Sequence, residues 1–141
     1  MVQNYLYEIK NSIITNLTSQ FTDLTIGDDT LILQDYPISD YKMCRVRTNL
    51  RQDSQQLSYV GDITITLIYK NPYGIAEKLD QILTYLMFQS DPETGKLVDK
   101  KWQTEHRGYQ LLYKNYNDTL AIHAEDIDEV MQSANLRIRI W

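Results

Sequence analysis

Cysteine occurs once in this chain, proline three times and glycine five times. The single Cys44 excludes an internal disulfide and any cysteine-rich metal site. In its strand-like surroundings it reads as a small apolar filler. Glycines scattered singly cannot build a nucleotide-binding loop. Gly95-Lys96 matches only the end of a phosphate loop, because the earlier glycine of that pattern is missing. No apolar run approaches the roughly 18–20 residues that span a bilayer. The opening Met-Val-Gln-Asn-Tyr-Leu-Tyr-Glu has no basic stretch followed by an apolar run, so it does not read as a signal peptide. Positive charge is also short: 14 Lys and Arg stand against 19 Asp and Glu, a formal charge of −5. That balance argues against a protein that grips phosphates by net attraction. These absences together read as a soluble protein of a reducing cell interior, with no membrane association.

Chemistry-bearing residues are equally sparse. There are two histidines. His106 lies in the polar run Gln103-Thr104-Glu105-His106-Arg107 and reads as solvated, while His123 follows Leu120-Ala121-Ile122 and reads as a hydrogen-bonded structural residue. A Ser–His or Cys–His pair needs a nucleophile beside the imidazole, and neither a G-x-S-x-G elbow nor a second cysteine is present. Glu125, Asp126, Asp128 and Glu129 form the densest acidic cluster, without the spacing of a calcium loop. On a short helix they would sit favourably at the N-terminal end of the dipole. The expectation is therefore no enzyme: no catalytic residue, no metal and no cofactor.

What the chain does contain is pattern. Its 141 residues, 43% of them hydrophobic, suit one globular domain spanning 1–141. Leu6, Ile9, Ile13, Leu17 and Phe21 recur at helical steps and predict a helix over 3–21. A turn at Gly27-Asp28-Asp29 leads to an expected short strand at Thr30–Gln34, and Pro37 prevents it from continuing centrally. A second strand is expected at Lys42–Thr48, with Cys44 and Val46 toward the core and Arg45 and Arg47 away from it. Ile63, Ile65, Leu67 and Tyr69 alternate with Asp62, Thr64, Thr66 and Lys70, the period of a strand with one buried face. Ile68 breaks the polar row, which implies that part of the second face is covered as well.

Asn71-Pro72 then reads as the opening of a helix over 72–88, with Ile75, Leu79, Ile82, Leu83 and Leu86 as its apolar stripe. Mobile loops are expected near 49–56 and 90–101. Gly108 is expected to mark a bulge beside a strand at Leu111–Tyr113. Further strands are expected at Thr119–His123 and Leu136–Trp141. Glu125–Ser133 reads as a short helix, with an irregular edge as the alternative. The fold class is α+β: a small mixed, mainly antiparallel sheet against an N-terminal and a central helix.

Tyrosine is over-used, 11 residues against 2 phenylalanines. Two readings stand side by side: rings at a protein–protein interface, or rings capping sheet edges. Trp102, Tyr109, Tyr113 and Tyr116 with Lys100, Lys101, Arg107 and Lys114 also allow a stacking surface for single-stranded nucleic acid. The acidic total favours an ordinary sheet instead.

The order of elements is the remaining clue. The opening helix Leu6–Phe21, the strand Gly61-Asp62-Ile63-Thr64-Ile65-Thr66-Leu67-Ile68-Tyr69, the helix start Tyr73-Gly74-Ile75-Ala76-Glu77-Lys78-Leu79 and the closing Asn135-Leu136-Arg137-Ile138-Arg139-Ile140 follow one another. This layout resembles the tail terminator (tail completion, minor capsid) proteins of long-tailed bacteriophages. The resemblance implies a virion protein of the tail or neck, assembled in the host cytoplasm as a ring, in all expectation a homo-hexamer. It implies that the ring caps the tail tube protein, stops its polymerisation and joins it to the head–tail connector protein. DNA would pass through the lumen without specific binding, an expectation that fails if Arg45, Arg47, Arg137 and Arg139 line the pore. On this reading Arg51, Asp53 and Gln55 of the polar tip at Asn49–Gln56, with Arg137 and Arg139, are the candidate contacts to a neighbouring subunit or the tube. The alternatives are another neck or head–tail connector component, or a small cytosolic ligand-binding protein or enzyme with a ferredoxin-like sheet. The sign of the last would be a pocket gathering His123 or the Glu125–Glu129 carboxylates.

Overall fold

A computed structural model describes residues 5–30, 41–52, 59–70, 73–117, 120–124 and 127–141. The expected strand positions 31–34, Pro37, the residues Asp53 and Gln55, and the acidic pair Glu125 and Asp126 lie outside the described residues.

The chain folds as α1 (Tyr5–Gln20), β1 (Thr25–Gly27), β2 (Lys42–Gln52), β3 (Tyr59–Tyr69), α2 (Ile75–Met87), β4 (Phe88–Ser90), β5 (Leu97–Asp99), β6 (Trp102–Gln103), β7 (Gly108–Tyr116), β8 (Leu120–Ala124) and β9 (Ile127–Ile140). One sheet runs in the order β1-β2-β3-β9-β7-β6, with β8 also paired to β9. All its pairings are antiparallel except β1 with β2. The class is α+β, with a mainly antiparallel sheet against two helices.

The ladder between β3 and β9 organises this sheet. It runs unbroken from Tyr59 opposite Ile140 to Tyr69 opposite Val130. Because side chains alternate across a strand, this register places Ile63, Ile65, Leu67, Tyr69, Ala134, Leu136, Ile138 and Ile140 on one face, and all are buried. Cys44 and Val46 of β2 join that face. The two helices close it, α1 through Ile9, Ile13 and Leu17 with Phe21 just beyond its end, α2 through Ile75, Leu79, Ile82, Leu83 and Leu86. Burying one such side chain contributes about 1.5–3 kcal/mol.

Several expectations are corrected. The stretch Glu125–Ser133 is no helix where it is described: from Ile127 it is strand, because Ile127–Met131 pairs with β8 and Val130 onward pairs with β3. A ladder on both edges satisfies more backbone than an isolated short helix can. The polar stretch Asn49–Gln52 is strand and not loop, since the β2–β3 ladder continues to Gln52 opposite Tyr59. The N-cap of α2 is Gly74, at φ 77°, and not Asn71. Residues 88–99, expected as a loop from 90 on, include the hydrogen-bonded β4–β5 hairpin, whose turn is closed by Gly95 N–H donating to the Asp91 carbonyl at 2.8 Å. The bulge in β7 falls between Tyr113 and Asn115, not at Gly108. Gly108 serves another purpose: the Trp141 indole lies so close that an added Cβ would sit 2.5 Å from its Nε1.

Covering of the second face, implied by Ile68, is observed. Met43 and Ile68 pair across β2 and β3 on the face opposite the main core, and both are buried. At the same end the buried Glu129 accepts a hydrogen bond from the Tyr41 hydroxyl. Burial, then the Glu129 partner, pushes that phenol up to about 12.

In the main core the Tyr69 hydroxyl is buried without a hydrogen-bond partner among the described residues, and burial pushes it up to about 12. A stranded polar atom costs free energy. Tyr69→Phe is therefore expected to leave stability unchanged or raise it by up to about 1 kcal/mol. Urea unfolding checks this; a loss above about 1 kcal/mol would mean that the hydroxyl has a partner the packing hides.

Candidate functional site

The face of the sheet turned away from the helices carries a polar surface. Its composition follows from the register. Cross-strand rows run Arg47–Thr64–Asn135–Asn115, Asn49–Asp62–Arg137–Leu112 and Arg51–Val60–Arg139–Gln110 over β2, β3, β9 and β7. Arg45, opposite Thr66, belongs to the same face. The cations Arg45, Arg47, Arg137, Arg139 and Lys114 thus gather on one side of a chain whose formal charge is −5.

The centre of this face is tied by amide chemistry. Thr64 Oγ1 donates to Asn135 Oδ1 at 2.7 Å, and Asn135 Nδ2 donates to Asn115 Oδ1 at 2.8 Å and Asn117 Oδ1 at 3.1 Å. Asn117 Nδ2 donates in turn to Ser133 Oγ at 2.7 Å. Asn135 therefore uses its acceptor and both donor hydrogens, locking β3, β9 and the end of β7 together. Beside it, Lys114 Nζ pairs with Asp62 at 3.2 Å, and Arg47 Nε lies 3.8 Å from Asp29. Both pairs are well exposed and contribute little to stability.

Of the residues expected to make contacts, Arg137 and Arg139 are exposed and adjacent on this face. Arg51 takes the register position opposite Val60, in the row that reaches Arg139 two strands away. Asp53 and Gln55 are outside the described residues. The bulge in β7 was not legible beforehand and has a consequence. It turns Tyr116 to the helix side, where its hydroxyl donates to Asp80 of α2 at 2.5 Å and is pushed up to about 12 by that partner first. The Tyr113 ring lies tilted beside it, with centroids 5.3 Å apart, and both rings remain about half exposed.

The tyrosines are spread between core and surface. Tyr69 and Tyr109 are core residues, whereas Tyr7, Tyr73, Tyr113 and Tyr116 are exposed. Trp102 and Tyr109, two rings of the suggested stacking surface, are packed inward. Trp102 lies edge-on to Tyr85, stacks on Tyr109 at 6.3 Å and donates its indole N–H to the Leu86 carbonyl at 2.9 Å. Lys100 covers this seam, with Nζ 3.7 Å from the Trp102 ring centroid. A single-stranded nucleic acid would find those ring faces occupied.

Among the described residues, hollows open to solvent of about 390 and 450 Å³ are lined by Tyr73–Glu77 and by Gln20, Phe21, Asp80, Gln81, Thr84 and Tyr85. Glu129 lines neither of them; the side chains of His123, Glu125, Asp126 and Asp128 lie outside the described residues. Among the described residues, no helix is long and apolar enough to cross a membrane.

Asn135→Ala is expected to cost about 1 kcal/mol, the net value of a hydrogen bond in a partly exposed network, and to lower the melting temperature by about 3 °C. Calorimetry checks this; an unchanged melting temperature would mean that water replaces the amide without loss.

A scan against protein-family models found no match, and a search of curated protein sequences found no significant relative.

Proposed function

We propose that this chain is a structural virion subunit of the phage tail-terminator kind. It associates with its own copies in a ring that caps the tail tube, halts its polymerisation and meets the head–tail connector. The observation that carries the reading is the asymmetry of the sheet: helices seal one face, and the other presents an amide-locked platform studded with arginines. Such a surface suits contact with acidic protein. Guanidinium groups make bidentate bonds to carboxylates, and a rigid framework lowers the entropy lost on docking. A second copy of this acidic chain offers such carboxylates. The element order that resembles the terminators supports the same role.

In this reading the arginine face is directed at neighbouring subunits or the tube, and the more acidic remainder of the surface faces the DNA channel. That arrangement lets DNA slide without sticking. Catalysis has no part in the proposal.

The test pairs mass in solution with electron microscopy after mixing with the phage's tail tubes. The wild-type chain is expected to form rings, alone or on tube ends. Arg137→Glu/Arg139→Glu reverses two exposed charges, so it should keep a native circular dichroism spectrum and lose at least about tenfold in ring or tube-end association. A wild-type chain that neither self-associates nor decorates tube ends, or a double variant that assembles normally, would overturn the reading.

A further inference from the structure

A cluster at the opposite end of the molecule's chemistry has no place in that role. Glu8 of α1 and the adjacent pair Glu105 and His106, in the turn between β6 and β7, bring one donor atom each to within 4.8 Å of one another. His106 Nδ1 lies 3.1 and 3.2 Å from the two carboxylate oxygens of Glu8. We propose that these three residues bind a divalent transition-metal ion, with zinc as the best fit.

The distances favour a shared ion. Tetrahedral zinc holds nitrogen and oxygen ligands at about 2.0–2.2 Å, which sets neighbouring ligand atoms roughly 3.3 Å apart. The Glu8–His106 spacing already equals such an edge. Glu105, exposed at the turn, completes a triangle by rotating its side chain toward the other two.

The backbones are held in advance. The turn is closed by Thr104 N–H donating to the Arg107 carbonyl at 2.7 Å and by Arg107 N–H donating to Thr104 Oγ1 at 3.0 Å. One helical turn beyond Glu8, Ser12 Oγ and the Tyr109 hydroxyl lie 2.9 Å apart, which fixes α1 against β7.

The donor set decides the class of ion. Two carboxylates neutralise a dication, and a neutral imidazole selects zinc-like ions over magnesium or calcium, which prefer oxygen. The bound ion would clamp the N-terminal helix to the β6–β7 edge, with an open coordination position left for water.

The experiment is calorimetric titration of the full chain, free of any tag and stripped with chelator, with zinc chloride and separately with magnesium chloride. One zinc per chain is expected with Kd below about 100 μM, and no saturable magnesium binding. His106→Gln and Glu105→Gln each change an exposed side chain, so the circular dichroism spectrum should persist while Kd rises at least about tenfold. His123→Gln should leave Kd unchanged. Absence of zinc binding up to about 1 mM, binding indifferent to His106, binding lost with His123 instead, or equal binding of magnesium would each overturn the proposal. The ring reading does not depend on the result, since tube-end association is measured separately.

Discussion

The ladder between β3 and β9 is the constraint on which the rest of the molecule depends. It joins the middle of the chain to its end through an unbroken series of pairs, and each strand is paired on its other edge as well, β3 to β2 and β9 to β7 and β8. A slip of one residue would carry Ile63, Ile65 and Leu67 to solvent and Thr64 and Thr66 into the core, so the register is strongly specified. Contacts so distant in sequence make for slow folding. They also leave the C-terminal strand central in the sheet and not at a free edge.

One register thus builds two surfaces. Toward the helices it stacks aliphatic side chains that close a core. Away from them it aligns Arg45, Arg47, Asp62, Thr64, Asn135, Arg137 and Arg139 into a polar platform, while Met43 and Ile68 extend burial to that face at one end only. The proposed role uses this division directly: stability resides on one side of the sheet and contact on the other. The Glu8–Glu105–His106 cluster belongs to neither surface. It sits where the first helix meets the last edge strand, and it matters for how the N-terminal helix is held.

Much of this was legible in residue order. The period of two in Asp62–Lys70 and in Leu136–Ile140 fixed both strands of the central ladder, and the stripes of α1 and α2 were readable from Ile9, Ile13 and Leu17 and from Leu79, Ile82 and Leu86. Arg137 and Arg139 could be placed outward because Leu136, Ile138 and Ile140 had to face in. The misread elements share a cause. Ile127, Val130 and Met131 fit a helical stripe locally, but pairing on both edges of β9 outweighed that preference. Asn71 is a good cap by type, yet the helix starts after Gly74, which takes the left-handed conformation without strain. The three clustered donors were invisible because Glu8 and His106 are brought together by topology, with no spacing rule to announce them. The bulge in β7 likewise carries no Gly or Pro to signal it.

Native-state hydrogen exchange tests the central ladder most directly. If β3 and β9 form the keystone pair, the backbone amides of Ile63–Leu67 and Ala134–Ile138 exchange slowest in the chain, opening only with global unfolding. Rapid exchange along β9, with protection confined to the helices or to β2, would contradict the account.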